Sequence, residues 1–449
     1  QMKVLMLSWE FPPQIVGGIA PHVHDLSLAL ADKGQEITVV TRGNTPMETE
    51  EDLHGIKVYR VPPSTPEPPD FISWVLQLNL KLLEKAVFLA EQGERFDLIH
   101  AHDWLVAYAG QGLKHAYRKP LVATIHATEW GRNGGLHNEL QRYISNVEWG
   151  LTFEAWRVIC CSRYMSNELQ RIFQLPADKL RIVPNGVYPE TFRHRSGNAQ
   201  AIRRKYAADD EKIIFYIGRL VFEKGLDLLL DAAAKILARQ QKVKFVIAGK
   251  GPYAKHLHER AQQMGLYERF YFTGYIDDIT RNALFSTADV AVFPSLYEPF
   301  GIVALEAMAA GTPVVVTDTG GLGEVVRHGK NGLKSAPNDP ESLADNILWL
   351  LNYPEQARAL RNQAFHDLKS EYDWGRIAAR TLEVYSEVVD EYQQSAWNQT
   401  RPEVAVESGS NPFVAGSLAE DLPYGRYTTA RRRENTETTE IKGQMGDLQ

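Results

Sequence analysis

The chain has 449 residues, which is too long for one ordinary domain and fits two domains with a remainder. Its residues are 44% hydrophobic, 10% aromatic and 23% charged, the composition of a globular protein with ample material for a core. The 49 basic against 56 acidic residues give a formal net charge of −7, which argues against a protein that coats nucleic acid or an anionic bilayer. A local basic patch, and with it peripheral membrane contact, stays open.

The sequence carries no sign of secretion or of membrane insertion. No segment approaches the roughly 18 consecutive apolar residues that a membrane-spanning helix requires, and Glu10 comes too early for the apolar core of a signal peptide. The two cysteines, Cys160 and Cys161, are adjacent, cannot cross-link the fold and lack the spaced partners of a zinc site. We therefore expect a cytoplasmic protein with two reduced, buried thiols.

From the N-terminus, short β-branched runs alternate with longer segments of helical period, which is typical of βαβ units and a parallel sheet. The first unit is a strand at 3–8, a loop that contains Gly17 and Gly18, and a helix with Pro21 in its first turn and Gly34 at its end. The further strands that the pattern predicts in this half are 36–41, 56–61, 98–101, 121–125, 158–161 and 180–183.

A polar stretch at 184–196 interrupts the alternation and is the predicted link between domains. A second series follows it, with a helix predicted, for example, at 224–238. The sequence therefore predicts an α/β protein with two Rossmann-like, doubly wound domains, at 1–190 and 191–373. The strands predicted in the second half are 213–217, 245–248, 270–272, 290–293, 314–317 and 332–335.

The C-terminal part divides into a helix and a polar tail. A long helix is predicted at 374–398, with one buried stripe because four apolar positions recur close to a 3.6-residue period. Those positions are Ile377, Val384, Val388 and Tyr392. The tail at 399–449 is predicted to be disordered, because it is poor in apolar residues. Its run of three arginines at 431–433 is interpreted as a solvated segment or a partner contact.

The most informative segment is 295–306. A predicted strand leads into a turn in which Glu298 comes just before Pro299 and Gly301, where a helix should begin. The free amides of a first helical turn and the positive end of the helix dipole favour a diphosphate. Glu306 follows about two turns later near the same face, so the two carboxylates could bind hydroxyl groups at two ends of a nucleotide sugar. The alternative is a first-turn acid and an unrelated surface glutamate.

Two cations follow the first strand of the second domain. Gly218-Arg219 and Glu223-Lys224-Gly225 come directly after 213–217. Because the carboxyl ends of parallel strands face the ligand crevice of an open sheet, Arg219 and Lys224 are candidates to stabilise a departing nucleoside diphosphate. The sequence has no Asp-x-Asp pair to hold a divalent ion, so we expect no metal in this role. The alternative is two surface cations.

Histidines and glycines are placed near the same edge of the first predicted sheet. His126 ends the strand at 121–125, and the segment His-Ala-His-Asp-Trp at 100–104 ends another strand. Both could point into the crevice or be core histidines, and their spacing does not resemble a zinc-binding helix motif. Gly17 and Gly18 permit close approach of a ligand to the backbone, although a lone glycine pair is weak evidence.

In chain order, these motifs resemble the retaining glycosyltransferases of the GT-B fold, in particular the large family 4 and the related glycogen and starch synthases. The resemblance covers about 2–398 and is most specific where Glu298 and Glu306 match the family's Glu-x7-Glu element. It implies two Rossmann-like domains that face each other across a cleft, with a last helix that returns to the first domain. The other motifs that carry it are Gly17-Gly18, 100–104, His126, Pro184-Asn185-Gly186-Val187, Gly218-Arg219, Lys224-Gly225 and Gly320-Gly321-Leu322-Gly323-Glu324.

The resemblance also implies residue roles. Arg219 and Lys224 would bind the diphosphate and stabilise the leaving group. Glu298 would contact the donor sugar, and Glu306 the ribose hydroxyls. His126 would contact the transferred sugar near its reacting carbon. The further donor-binding residues that the resemblance implies are Gly17, Gly18, Tyr275, Phe300, Gly301 and Ile302.

The implied reaction moves a hexosyl unit, with glucose favoured, from an ADP- or UDP-sugar to the hydroxyl of a carbohydrate or other acceptor. Configuration would be retained, and no metal ion or other cofactor would take part. In one respect the chain departs from the pattern. Glycogen and starch synthases carry a lysine two residues before the glycine pair, whereas this chain has Ile15, so one contact to the donor phosphate is absent.

Three other functions are consistent with the same motifs. A GT-B-fold epimerase would act on a nucleotide sugar without any acceptor. A phosphorylase would need pyridoxal phosphate bound to a lysine. A non-catalytic sugar-nucleotide-binding protein would bind the donor without turnover.

Overall fold

The computed structural model describes residues 1–64, 66–193 and 198–398. These residues form fourteen β-strands and sixteen α-helices, arranged around two sheets. In the described part of the chain, every helix is too short or too polar to span a lipid bilayer. The predictions for the tail at 399–449, with its three arginines, lie outside the described residues.

The first sheet contains eight strands. They are β1 (Lys3–Leu7), β2 (Glu36–Arg42), β3 (Thr49–Leu53), β4 (Ile56–Val61), β5 (Leu98–His102), β6 (Leu121–Ile125), β7 (Arg157–Cys160) and β8 (Leu180–Ile182). Their spatial order is β3-β4-β2-β1-β5-β6-β7-β8, and all neighbours pair in parallel apart from β3 and β4. The central strands are buried on both faces, which is why they appear in the sequence as continuous apolar runs.

Helices cover both faces of this sheet. They are α1 (Ile19–Asp32), α2 (Phe71–Glu91), α3 (Ala107–Tyr117), α4 (Glu129–Asn133), α5 (Glu139–Glu154) and α6 (Arg163–Phe173), with 3₁₀ turns at Trp104–Val106 and Ala177–Lys179. Several begin at a capping residue: the side chains of Asp70, Asn138 and Ser162 each accept a hydrogen bond from a first-turn amide of α2, α5 and α6.

The second sheet contains six strands, all parallel, in the order β11-β10-β9-β12-β13-β14. They are β9 (Lys212–Ile217), β10 (Val243–Ala248), β11 (Phe270–Gly274), β12 (Val290–Phe293), β13 (Val314–Thr317) and β14 (Leu333–Ser335). The remaining helical segments are α7 (Pro189–Arg193), α8 (Ala199–Arg203), a 3₁₀ turn (Phe222–Lys224), α9 (Leu226–Arg239), α10 (Ala254–Gln263), α11 (Asp278–Thr287), α12 (Ile302–Ala309), α13 (Leu322–Val325), α14 (Pro340–Asn352), α15 (Pro354–Asp367), a π-helical turn (Leu368–Tyr372) and α16 (Trp374–Gln394).

The structure confirms the predicted α/β fold with two doubly wound domains. Every predicted strand is present, with bounds within two residues of the prediction. Two local differences stand out. The strand β3 was not predicted, and the helix predicted at 224–238 begins only at Leu226, because the preceding residues form the 3₁₀ turn.

The last helix, α16, packs against the first domain although it follows the second in sequence. Its predicted stripe is buried, and it lies along α1. The Tyr385 hydroxyl is 2.7 Å from Nδ1 of His100 on β5, and the Glu387 carboxylate accepts hydrogen bonds from Arg157 and Arg181 at the edge of the first sheet. The first domain is therefore completed by the end of the described chain.

Both sheets contain a point at which the strand order changes direction, between β1 and β5 in the first and between β9 and β12 in the second. At such a point, loops after the two strands diverge to opposite faces and leave a crevice outside their carboxyl ends. The loops after β1, β9 and β12 carry, in this order, Gly17 and Gly18, Arg219 and Lys224, and Glu298.

Candidate active site

The glycine loop of the first domain meets the start of α12 in the second domain. A Cβ atom on Gly18 would lie 3.3 Å from Cδ1 of Ile302, the first residue of that helix. Gly17 precedes it in the loop between β1 and α1. The two crevices thus face each other across one cleft, with Gly18 and Ile302 on opposite walls.

An ion pair lies close to the N-terminus of α12. Nζ of Lys224 is 2.6 Å from Oε2 of Glu298, and Oγ of Ser295 donates a longer bond of 3.3 Å to the same oxygen. The carbonyl of Glu223 accepts hydrogen bonds from the amides of Leu296 and Tyr297, so backbone contacts join the Lys224 turn to the Glu298 loop. The Glu298 side chain is 11% exposed, which leaves the pair shielded but within reach of the cleft.

Arg219 lies in the same electrostatic environment. It follows β9 directly, and its carbonyl accepts a hydrogen bond of 3.0 Å from the Tyr216 hydroxyl. Burial raises the pKa of the Tyr216 phenol well above its usual value, the charges of Glu298 and Glu223 raise it further, and Arg219 opposes them. The Tyr216 phenol therefore lies within electrostatic range of both Arg219 and Glu298.

Glu306 lies further along α12 and faces both domains. Burial raises the pKa of its carboxyl group to about 7. Arg281 opposes the shift, while Asp278 on α11 and Asp25 on α1 add to it. Because Asp25 belongs to the first domain, the Glu306 carboxyl lies within electrostatic range of both walls of the cleft.

His126 follows β6 and is fixed from two directions. Its amide donates a hydrogen bond of 2.7 Å to Oδ1 of Asp103, and its Nε2 lies 3.2 Å from Nδ1 of His102. Burial lowers the pKa of its ring to about 3, with a smaller effect from the Arg132 charge. His126 is therefore a neutral imidazole that is partly exposed at the first-domain wall.

The motif at 100–104 divides into a structural and a site-facing part. His100 is fully buried and bonded at both ring nitrogens, to the Tyr385 hydroxyl and to Oγ1 of Thr124, each at 2.7 Å. It is a core histidine. His102 and Asp103 instead contact His126, so only the second half of the motif reaches the site.

The other predicted donor-binding residues are less clustered. The Phe300 ring is buried and lies 6.1 Å from that of Tyr372, so its backbone is the part that faces the start of α12. Gly301 lies against Leu322 at the N-terminus of α12. Tyr275 follows the edge strand β11, and its side chain is 75% exposed. Tyr275 therefore lies beyond the two central strands, β9 and β12, whose loops carry the ion pair.

Glu10 was not found from the sequence. Its buried carboxylate accepts hydrogen bonds from the amides of Val16, Gly17 and Ala20, at 2.5, 3.1 and 3.3 Å, and thereby shapes the glycine loop. Burial raises the pKa of Glu10, although these amides and Arg42 lower it. A charged residue three positions after the apolar strand β1 was the available signal.

Tyr297 is a second residue that sequence reasoning missed. Its hydroxyl crosses the cleft, donates a hydrogen bond of 3.0 Å to Oε1 of Glu168 and lies 3.4 Å from the amide of Thr128. Burial raises the pKa of this phenol well above its usual value, and the Glu168 charge adds to the shift. It neighbours Glu298 in sequence, so this contact holds the Glu298 loop against the first domain.

Two family descriptions match the chain. Residues 16–191 match Glycosyltransferase Family 4, and residues 198–367 match Glycosyl transferases group 1. The junction between the two matches falls close to the segment that links the two sheets.

Known proteins resemble the chain over most of its length. An uncharacterized glycosyltransferase of Methanocaldococcus jannaschii is 39% identical over 387 residues, which are 86% of this chain and 98% of that protein. Glycogen synthase of Mycobacterium tuberculosis is 35% identical over 398 residues, 86% of this chain and 94% of the synthase. The structure of sucrose-phosphate synthase from Thermosynechococcus elongatus matches with a TM-score of 0.75 at 26% identity, covering 87% of this chain and 100% of the other. The chain therefore belongs to the family 4 glycosyltransferases of the GT-B fold and is similar to the glycogen and starch synthases.

Proposed function

We propose that this glycosyltransferase moves a hexosyl unit, with glucose preferred, from an ADP- or UDP-sugar to a carbohydrate or other hydroxyl acceptor, with retention of configuration. The observation that carries the proposal is the Lys224–Glu298 pair at 2.6 Å, at the mouth of α12 and near Arg219. The names of two relatives, a glycogen synthase and a sucrose-phosphate synthase, support the choice of glucose. The proposal includes no metal ion or other cofactor.

The donor diphosphate would lie between the first-turn amides of α12 and the glycine loop, with Arg219 and Lys224 beside it. When the bond from the anomeric carbon to the diphosphate breaks, negative charge grows on the leaving phosphate oxygen. Cations and helix amides that are already oriented stabilise this charge more in the transition state than in the ground state. That difference accelerates the chemical step.

The proposed retention requires attack on the face that the diphosphate leaves, and the role proposed for Glu298 is compatible with it. Its carboxylate is engaged by Lys224 and Ser295, which suits an anchor for donor hydroxyls rather than a covalent nucleophile. The acceptor oxygen would bond to the anomeric carbon on the face that the diphosphate leaves, and the acceptor proton would pass to the leaving phosphate oxygen. A neutral His126 contacts a sugar hydroxyl without placing a positive charge beside the oxocarbenium-like carbon.

The nucleoside end of the donor would extend towards Glu306, with the base near the backbone around Tyr275. Because the pKa of Glu306 is about 7, its carboxyl group can both donate to and accept from ribose hydroxyls near neutral pH. We place the reaction in the cytoplasm, where the buried thiols Cys160 and Cys161, both free in the structure, stay reduced.

The test is a screen of ADP-glucose and UDP-glucose against glucan, sugar, sugar-phosphate and lipid acceptors, with detection of nucleoside diphosphate release and NMR of the product anomer. Lys224→Ala is expected to lower turnover by about a hundredfold, the usual cost of one transition-state donor. Glu298→Gln is expected to have an effect of about the same size, because it removes the anchor for the donor sugar and the charged partner of Lys224. Lys212→Ala is the matched control, because this lysine pairs with Asp289 at 3.0 Å at the opposite end of β9. Its turnover should equal that of the unsubstituted protein.

The same screen separates the alternatives. An epimerase would convert the nucleotide sugar without an acceptor, and a non-catalytic binding protein would bind the donor with no turnover. Inversion at the anomeric carbon would contradict the proposed mechanism. Full turnover in both Lys224→Ala and Glu298→Gln would contradict the proposed site.

A further inference from the structure

Three histidines from three elements converge beside the proposed donor site. His22 lies on α1, His102 ends β5 and His126 follows β6. One ring nitrogen from each lies within 4.8 Å of the others. Nδ1 of His102 and Nε2 of His126 are 3.2 Å apart, which matches the spacing of about 3.3 Å between two nitrogens of a tetrahedral Zn²⁺ with bonds of about 2.05 Å.

The hydrogen bonding of this cluster is incomplete. Both ring nitrogens of His22, which is 6% exposed, and Nε2 of His102, which is 0% exposed, have no hydrogen-bond partner among the described residues. Asn185 faces the His22 ring without reaching hydrogen-bond geometry. A buried nitrogen without a partner is costly, and a metal bound to the cluster would give one ring nitrogen of His22 a partner. The neighbouring His100, bonded at both nitrogens, shows what a purely structural histidine looks like in this core.

The ligand atoms of this cluster determine which metal it suits. All three side chains offer imidazole nitrogens, and the group contains no carboxylate oxygen. Neutral imidazole nitrogens bind Zn²⁺, Cu²⁺ and Ni²⁺ and have little affinity for Mg²⁺ or Ca²⁺, which prefer oxygen ligands. The three nitrogen ligands therefore favour a transition metal such as Zn²⁺ over Mg²⁺ or Ca²⁺.

We propose that His22, His102 and His126 form a three-histidine site for Zn²⁺ or a similar first-row cation, and that metal bound there inhibits use of the donor. The partial exposure of His126 leaves a fourth coordination position open to the cleft, where water or an anion completes the sphere. The inhibitory part rests on the proposed function, because a metal on His126 takes the nitrogen that would contact the donor sugar. The metal-binding part does not depend on it.

Metal binding is tested on the full chain, freed of metal with a chelator and titrated with Co²⁺, whose visible absorption reports a tetrahedral site. One equivalent is expected to bind and to be displaced by Zn²⁺ but not by Mg²⁺. His22→Ala and His102→Gln are each expected to weaken binding at least tenfold. His115→Ala, an exposed histidine on α3, is the control and should bind like the unsubstituted chain. Far-UV circular dichroism and thermal unfolding show which variants are folded.

Equal Co²⁺ binding by folded His22→Ala, His102→Gln and the unsubstituted chain would overturn the site, as would the absence of binding at millimolar Co²⁺. Inhibition is read separately from nucleoside diphosphate release with and without Zn²⁺. Zn²⁺ should raise the apparent KM for the donor, and a chelator should reverse the effect. Turnover that persists with the site saturated would overturn the inhibitory role and leave the transferase assignment standing. A chain without turnover would contradict the proposed function, while the Co²⁺ titration would still decide the metal site.

Discussion

Gly225 positions Lys224 through its own backbone. It adopts a left-handed conformation with φ of +66°, and a Cβ atom there would lie 2.0 Å from the carbonyl oxygen of Pro294. The close approach lets the turn that carries Lys224 contact the loop that carries Glu298. A side chain at this position would therefore push apart the two halves of the ion pair.

Gly225→Ala is expected to lower the free energy of unfolding by about 3 kcal/mol, because left-handed strain and a backbone clash add. Gly265→Ala is the matched control, since Gly265 has a φ of +69° and open space around its Cβ position. That variant should lose about 1 kcal/mol from strain alone. Urea unfolding of both variants measures the difference, and equal losses would show that the clash is relieved without cost.

Glu306 makes stability depend on pH. Its pKa is about 7 in the folded protein and 4.5 ordinarily, because burial, Asp278 and Asp25 outweigh Arg281. Between these values the folded state binds more protons than the unfolded state, so stability falls as the pH rises through this window. After allowance for its partial exposure, the ionised carboxylate costs about 2 kcal/mol above pH 7.

Glu306→Gln is therefore expected to raise the free energy of unfolding by about 2 kcal/mol at pH 8 and by less than half of that at pH 5. Urea unfolding at pH 5, 6, 7 and 8 measures this trend. Glu383→Gln, at an exposed position of α16, is the matched control at each pH. A pH-independent gain in Glu306→Gln would mean that the carboxyl group is not the titrating group.

At the scale of elements, α6 is capped partly by the other domain. The amides of Arg163 and Tyr164 donate to the two carboxylate oxygens of Glu324, at 3.0 and 2.8 Å, and Ser162 donates to the carbonyl of Pro299 at 2.7 Å. Pro299 follows Glu298, so the start of α6 holds the site loop. Capping and domain contact are here the same interaction.

Glu324→Ala is expected to raise the donor KM several-fold while it costs about 1 kcal/mol of stability, because it loosens the contact that orients Glu298. Asp339→Ala removes a similar cap, that of α14, inside one domain and should cost comparable stability without a change in KM. Steady-state kinetics with urea unfolding separates the two. Equal KM values in both variants would show that the cap serves only local stability.

Strand patterns were predictable where both faces of a strand are buried. β3 was missed because it is an exposed, acidic edge strand that lacks an apolar run. It pairs with β4 through a tight turn in which His54 and Gly55 both have positive φ, so the turn glycine was the usable signal. The proximity of Lys224 and Glu298 could be predicted because both lie in loops that follow parallel strands, whose carboxyl ends meet at one edge.

Glu10 and Tyr297 could not be predicted in the same way, because their contacts arise only after folding. Glu10 turns back onto its own loop, and Tyr297 reaches Glu168 across the domain boundary. The cluster around His126 likewise combines residues from α1, from β5 and from the loop after β6. The spacing of residues along the sequence does not reveal which of them are close in the folded protein.

At the scale of the whole molecule, α16 links the end of the described chain to the core of the first domain. Tyr385 and His100 are both fully buried, and the bond between the hydroxyl and Nδ1 is 2.7 Å long. The burial of the phenol raises its pKa far above the ordinary value, so the hydroxyl stays protonated. It is therefore a permanent partner for a ring nitrogen that has no access to water.

Tyr385→Phe is expected to lower the free energy of unfolding by about 1–3 kcal/mol, because Nδ1 of His100 loses its partner while the packing is kept. Tyr353→Phe, at a residue that is 48% exposed, should change stability by less than about 0.5 kcal/mol. Urea unfolding followed by tryptophan fluorescence measures both. His100 and Tyr385 are 285 positions apart, and the second domain lies between them in sequence. Loss of their hydrogen bond should therefore shift a single unfolding transition that both domains share. An early separate transition in Tyr385→Phe would show instead that α16 detaches before the domains unfold.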